Sequence, residues 1–301
     1  MKTTLIGSAV LAVILGALSS ACSGGGGSGP SAESNSSVAA TAKSTQGLTG
    51  HYVGSATIAG VAYFADAVVT QDGAIRLYVG GSYAATFGGQ NFELVRPEGS
   101  YQFVATLQMR DGEWSGNGFI FGQECAINPA NRFCGQPAPA EFSANASAVS
   151  DEAITATLQG EIQLLTSGGT ETWSLNLGQW FYDGPVEADQ YTEGFAEFAG
   201  NSNVIVTIDS GGKLFFQSSG SGCVGNGTVA SHAAGPTGIY DVTLMIESCS
   251  GAYAYLNGAY GGLALMTTSS IWEYDSWLRV WLSTDPENGS PAALTMLSEP
   301  L

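Results

Sequence analysis

Paired acids are the first residues of this chain whose types and spacing suit chemistry. Glu273 and Asp275 stand two apart beside Trp277. Two carboxylates facing one cleft are the equipment of glycoside hydrolysis. Residues two apart also share one face of a strand, where such a pair is ordinarily solvated, and that is the reading taken here. Asp183, Glu187 and Asp189 cluster farther back. Their oxygens suit calcium, but the Asp-x-Asp-x-Asp-Gly pattern is missing, so the stretch reads as an acidic linker. A serine triad needs a histidine base, and only His51 and His232 are present. His51, next to Tyr52 in a strand, reads as structural or surface, and His232 in SHAAGPTG as solvated. No G-x-S-x-G, HExxH, phosphate loop or dinucleotide turn occurs. The expectation is a protein that is not an enzyme and needs no metal or cofactor.

The residues best suited to binding lie on the stretch Ile271 to Leu282. Trp272, Tyr274, Leu278, Val280 and Leu282 alternate onto one face, which suits a core. Glu273, Asp275, Trp277, Arg279 and Trp281 fall on the other. Tryptophan and arginine dominate binding hot spots, so this second face is a candidate surface for a protein or a glycan. The competing expectation is that it seals a contact between two domains, with Trp180, Phe181 and Tyr182 as its partners.

The start of the chain gives an address. After Lys2 comes an apolar run from Leu5 to Leu18, then Ser19-Ser20-Ala21-Cys22. The run is too short to span a bilayer and ends on small residues, as a secretory signal does. A cut before Cys22 resembles the lipobox of bacterial lipoproteins, although Ser19 stands where an aliphatic residue is usual. The resemblance implies a signal peptide over 1–21, acylation (palmitate included) of Cys22, and a membrane tether. Ser23 in place of aspartate implies the outer membrane by the same resemblance. Residues 22–46 are then the lipidated cysteine and a Gly/Ser-rich leash, with a reach of roughly 25 to 30 Å. Several acyl chains make such an anchor stable, since each buried methylene adds about 0.8 kcal/mol.

Composition narrows the partners. Lysine plus arginine number 8 against 26 acids, a net charge of −18. Such a surface repels phosphate backbones, so nucleic acid is not an expected partner. The five cysteines divide as Cys22, a close pair Cys125 and Cys134, and Cys223 with Cys249 flanking two strands. That pattern suits one lipid site and two disulfides in an oxidising compartment. Without CxxC spacing or histidine partners, zinc is not expected.

The elements that must position these residues are strands. Tyr101, Phe103, Ala105, Leu107 and Met109 share one face of Tyr101 to Arg110; Tyr240, Val242, Leu244 and Ile246 share one face of Ile239 to Glu247; Val204, Val206 and Ile208 do the same in Asn203 to Asp209. Period-two alternation of this kind marks half-buried antiparallel strands. Asp111-Gly112 between two runs reads as a hairpin turn. Three landmarks recur: Val69–Gly73 with Val206–Gly211 at offset 137, Gly99–Tyr101 with Gly238–Tyr240 at 139, and Asn117–Phe119 with Asn257–Ala259 at 140. The expectation is therefore all-β: two tandem antiparallel β-barrel or barrel-like sandwich domains, 47–178 and 179–301, of roughly eight strands each. The disulfides do not match between the copies and read as later staples.

Leu48-Thr49-Gly50-His51-Tyr52 resembles the G-x-W/Y opening of lipocalin-like (calycin) barrels. The run from Gly222-Cys223 through Ile239–Val242 and Glu247-Ser248-Cys249 to Tyr255–Gly258 is similar to a cysteine-bearing barrel domain of bacterial lipoproteins. The first resemblance implies an alternative role as carrier of a small apolar ligand. The main expectation is a membrane-anchored lipoprotein with a binding or envelope-structural role; acid-pair hydrolysis is a remote alternative.

Overall fold

A computed structural model describes residues 49–80, 85–87, 90–92, 99–110, 113–123, 125–126, 128–148, 156–166, 169–180, 189–195, 204–232, 238–267, 277–287 and 291–300. Everything in residues 1–48, including Cys22 and the leash, lies outside them, as do Phe181 to Glu187, Glu273 and Asp275.

The described residues are nearly all strand, as expected. The first ring comprises β1 (Gly50–Ile58), β2 (Val61–Val69), β3 (Ala74–Gly80), a small hairpin of β4 (Ala85–Phe87) and β5 (Gln90–Phe92), then β6 (Tyr101–Thr106), β7 (Gln108–Arg110), β8 (Glu113–Gly122), β9 (Ala138–Ala148), β10 (Ala156–Thr166) and β11 (Gly169–Trp180). Its sheet runs β6-β3-β2-β1-β11-β10-β9-β8-β7, and β6 pairs with β8 as well as with β3, so the order returns on itself. β6 and β7 face β8 in one register, Ala105 opposite Gly118 and Gln108 opposite Ser115. They are two halves of the long strand read from Tyr101 to Arg110. The second ring is a closed barrel of β12 (Asp189–Phe195), β13 (Val204–Ile208), β14 (Lys213–Ser218), β15 (Val224–Ser231), β16 (Ile239–Glu247), β17 (Gly258–Thr267), β18 (Trp277–Ser283) and β19 (Ala293–Pro300), with one 3-10 helix at Gly251–Leu256. β11 ends at Trp180, two residues past the boundary read from the sequence.

Each ring is filled from inside. Tyr52, Leu77, Phe103, Trp114, Phe142 and Trp173 are buried in the first, and Val206, Phe216, Leu244, Val280, Leu282 and Met296 in the second. Apolar side chains point in and polar ones out, the reverse of a barrel that spans a membrane. Among the described residues no helix is long and apolar enough to cross one.

The two rings use the same device at the same place. In the turn after the second strand, Thr70 N donates to Ala74 O (2.9 Å), Gly73 N to Thr70 O (3.0 Å), and Leu107 N in the fourth strand to Gly73 O (2.7 Å). In the second ring Asp209 N donates to Lys213 O (2.9 Å), Gly212 N to Asp209 O (2.9 Å), and Val229 N to Gly212 O (2.7 Å). Gly73 (φ 90°) and Gly212 (φ 75°) occupy the left-handed region that this turn demands. Beyond the fifth strand, Gln123 N donates to Ser100 O and Ser250 N to Ser221 O.

These bonds correct the register of the sequence landmarks. Gly99–Tyr101 opens the fourth strand of its ring, but Gly238–Tyr240 opens the fifth of the other; Asn117–Phe119 lies in the fifth, Asn257–Ala259 at the start of the sixth. The connection between third and fourth strands is long in the first ring (81–100) and short in the second (219–223), which slides one alignment by a strand. The disulfides also match better than their spacing suggested. Cys125–Cys134 lies within the connection of fifth to sixth strand, and Cys223–Cys249 ties that same connection of the second ring to the start of its fourth strand.

Candidate functional site

The outer faces of the rings meet. Val68 of β2 packs with Ile239, Leu263, Leu265 and Trp281 of β16, β17 and β18, and Tyr78 joins them. All of these positions alternate with inward ones, so they are outward residues that the second ring has covered. Trp281 is fully buried here, 6.4 Å from the His51 ring. Among the described residues its indole nitrogen finds no hydrogen-bond partner.

Charges are sealed into the same contact. Asp66, in the middle of β2, is 4 % exposed. Its Oδ1 accepts from His51 Nε2 at 2.7 Å, and its Oδ2 pairs with Arg279. Burial lowers the pKa of Arg279 to about 10, which leaves it charged at neutral pH. A second cluster sits at the start of β3. His232 lies 3.3 Å from Asp72 of the first ring and donates through Nδ1 to Asp241 of the second at 2.8 Å. Burial would raise the pKa of Asp72, but the Thr70 hydroxyl, His232 and the backbone at Ala74 together bring it below the usual value. Arg76, lowered to about 10 by burial, feels both Asp72 and Asp241. A third link is uncharged: Gln123 Nε2 donates to Gln102 Oε1 (2.8 Å) and to Thr295 Oγ1 (2.7 Å), and Thr295 Oγ1 donates to Gln102 Oε1 (3.1 Å).

The described part of the candidate face read from the sequence lies at the ring–ring contact. Trp281 is buried there, and Arg279, its side chain 20 % exposed, is paired with Asp66. Trp277 opens β18, but its side chain lies outside the described residues, as do Glu273 and Asp275. His232 is not a solvated loop residue: its side chain is 11 % exposed. Sequence reasoning missed Asp66. The signal was available, since an aspartate interrupts the apolar run VAYFADAVV while its outward neighbour Val68 is apolar. Apolar residues grouped on an outer face, as Val68 is with Tyr78, point to cover by something else.

Two outer faces remain broad and open among the described residues: that of β14 to β16, where Phe215, Val224 and Met245 are exposed, and that of β7 to β11. Gln108, Ser115, Ser143, Glu161 and Ser174 stand opposite one another as a cross-strand row. Asn117, Glu141, Gln163 and Thr172 make the next row on one side. Asn145, Gln159 and Asn176 make that on the other. Two open depressions of about 350 and 400 Å³ run along these rows and share Ser143.

No protein-family model, curated protein or solved structure matches this chain. Its functional reading rests on its own residues. Among those described, no group of three or more His, Cys, Asp or Glu side chains is placed to hold a metal ion. Both disulfides are formed, each across a cap on a ring end. In the first ring the capped loop inserts Phe133 against Tyr101 and Trp173, with centroids 5.6 and 6.5 Å away, and buries Asn131, whose side-chain amide donates to Ser100 O and Gln123 O. In the second, Leu256 is buried under Cys223 and Cys249.

Proposed function

We propose that this protein is a lipid-anchored, non-catalytic component of a bacterial outer membrane that acts by binding with its outer surface. The filled interior of both rings is the observation that carries this reading. Inward positions hold large buried side chains such as Trp114, Trp173 and Phe216, so cargo inside a ring, the carrier alternative, has little room. Trp281 and Arg279 of the aromatic strand face are engaged at the ring–ring contact, which turns the reading to the rest of the exterior. The address rests on the apolar run Leu5 to Leu18, Cys22 and the Gly/Ser-rich leash.

Labelling cells with radioactive palmitate tests the anchor. The full chain should take up label and sediment with membranes; a Cys22→Ser variant should do neither. An unlabelled wild-type chain would overturn the anchored reading. Native mass spectrometry of purified protein tests the carrier alternative, where a reproducible bound small molecule would overturn the outer-surface reading.

A further inference from the structure

We propose that the outer face of β14 to β16 pairs with the same face of a second copy of this chain. This gives the outer-surface role above a partner and rests on that role. Among the described residues five large apolar side chains are exposed, and three of them, Phe215, Val224 and Met245, fall together on these three strands. Phe215, Asn226 and Met245 form one cross-strand row. Val224 sits in the next row, beside Glu247, and Lys213 starts the row on the other side. Alternation turns all six outward, because their neighbours Leu214, Phe216, Leu244 and Ile246 fill the second ring. Grouped apolar exterior of this kind marks an interaction surface.

Charge selects the occupant. The chain carries −18, so two copies repel over most of their surface. This patch instead holds one charge of each sign at opposite corners, Lys213 and Glu247, and Lys213 is the only lysine after residue 46. Place a two-fold axis in the plane of the face, along the diagonal that separates those corners. The strands of the two copies then cross near a right angle, as in orthogonal sheet packing. Each Lys213 meets the partner's Glu247, and each Phe215 lies on the partner's Val224. The other exposed apolar residues, Val61 and Leu165, stand apart on β2 and β10, so the described exterior offers no second apolar group for a head-to-tail contact. A self-complementary patch closes as a dimer. The face also runs on, along β16 and β17, into the ring–ring contact of Ile239, Leu263 and Leu265. Three strands by three rows is small beside the roughly 800 Å² per partner of a standard interface, so the dimer should dissociate in the micromolar range.

Sedimentation equilibrium of the full chain over a concentration series tests this. Wild type and Cys22→Ser are both run, so that a lipid tail cannot mimic pairing, and the mass of both should rise toward two chains. Lys213→Glu should weaken pairing about tenfold, Glu247→Lys likewise, and the two together should restore it, because the swap rebuilds both contacts. Both positions are exposed, so the melting temperature should hold throughout. Phe215→Ser should weaken pairing as well. A monomer at every concentration, a dimer indifferent to either charge reversal, or a swap that fails to restore it would overturn the proposal. Flotation of Cys22→Ser with neutral phosphatidylcholine vesicles, lost on Phe215→Ser, would give the face to lipid and overturn it too. Palmitate labelling reads the anchor and native mass spectrometry the carrier alternative, so either idea can fail without the other.

Discussion

Asp66 of the first ring and Arg279 of the second form an ion pair across the ring–ring contact, and His51 holds the second oxygen of the same carboxylate. The three side chains come from β1, β2 and β18, and Trp281 two residues on from Arg279 packs beside them. One carboxylate thus serves both the internal order of a ring and its attachment to the other.

Removing that carboxylate should be costly. Asp66→Ala leaves the Arg279 charge without its counter-ion, and breaking a buried pair in this way costs about 3–5 kcal/mol. Asp66→Leu with Arg279→Met should cost distinctly less, because no charge is stranded. Urea unfolding of the three proteins measures the difference; equal losses would mean the charges are not paired in solution.

Trp281→Ala should destabilise by about 3–5 kcal/mol, the cost of a large cavity, because the indole is fully buried. An unchanged melting temperature would show that the side chain faces solvent.

Acid should weaken the first ring through Glu171. Arg132 donates to both of its carboxylate oxygens at 2.6 Å, which lowers its pKa, and Trp173 Nε1 adds a further bond at 2.9 Å. A carboxyl whose folded pKa is depressed adds stability above its unfolded value and loses it as pH falls through the folded one. Glu171→Gln should therefore lower the melting temperature at pH 7, and the gap from wild type should close as the pH falls below the ordinary carboxylate range, through the lowered folded pKa. A gap constant with pH would remove the ion pair from the account.

Loop length ranks the two disulfides. Cys223–Cys249 closes a separation of 26 residues and Cys125–Cys134 one of 9, and chain entropy then gives about 3.5 and 2.6 kcal/mol. Replacing Cys223 and Cys249 by serine should cost more than replacing Cys125 and Cys134, measured by denaturant unfolding without reductant. The reverse order would show that anchoring Phe133 outweighs loop closure.

Much of this architecture could be read from the residues. Alternation in Ile239 to Glu247 foretold β16 to the residue, because one face of each strand is core and the other solvent. The pairing register between the rings could not be read, since it is set by main-chain bonds such as Leu107 N to Gly73 O that leave no mark on side-chain type. The fate of Trp281 was a matter of which outer face another ring covers. That depends on contacts more than 200 residues apart in sequence, as between His51 and Trp281. Even so, outward Val68, Leu263 and Leu265 carried the clue in their apolarity.

Within each ring the first strand hydrogen-bonds to the last, β1 to β11 and β12 to β19. The chain thus enters and leaves a ring at one spot. A unit with adjoining ends behaves as a cassette: splicing one out, inserting it into a host loop or rejoining its ends elsewhere asks no remaining strand to move.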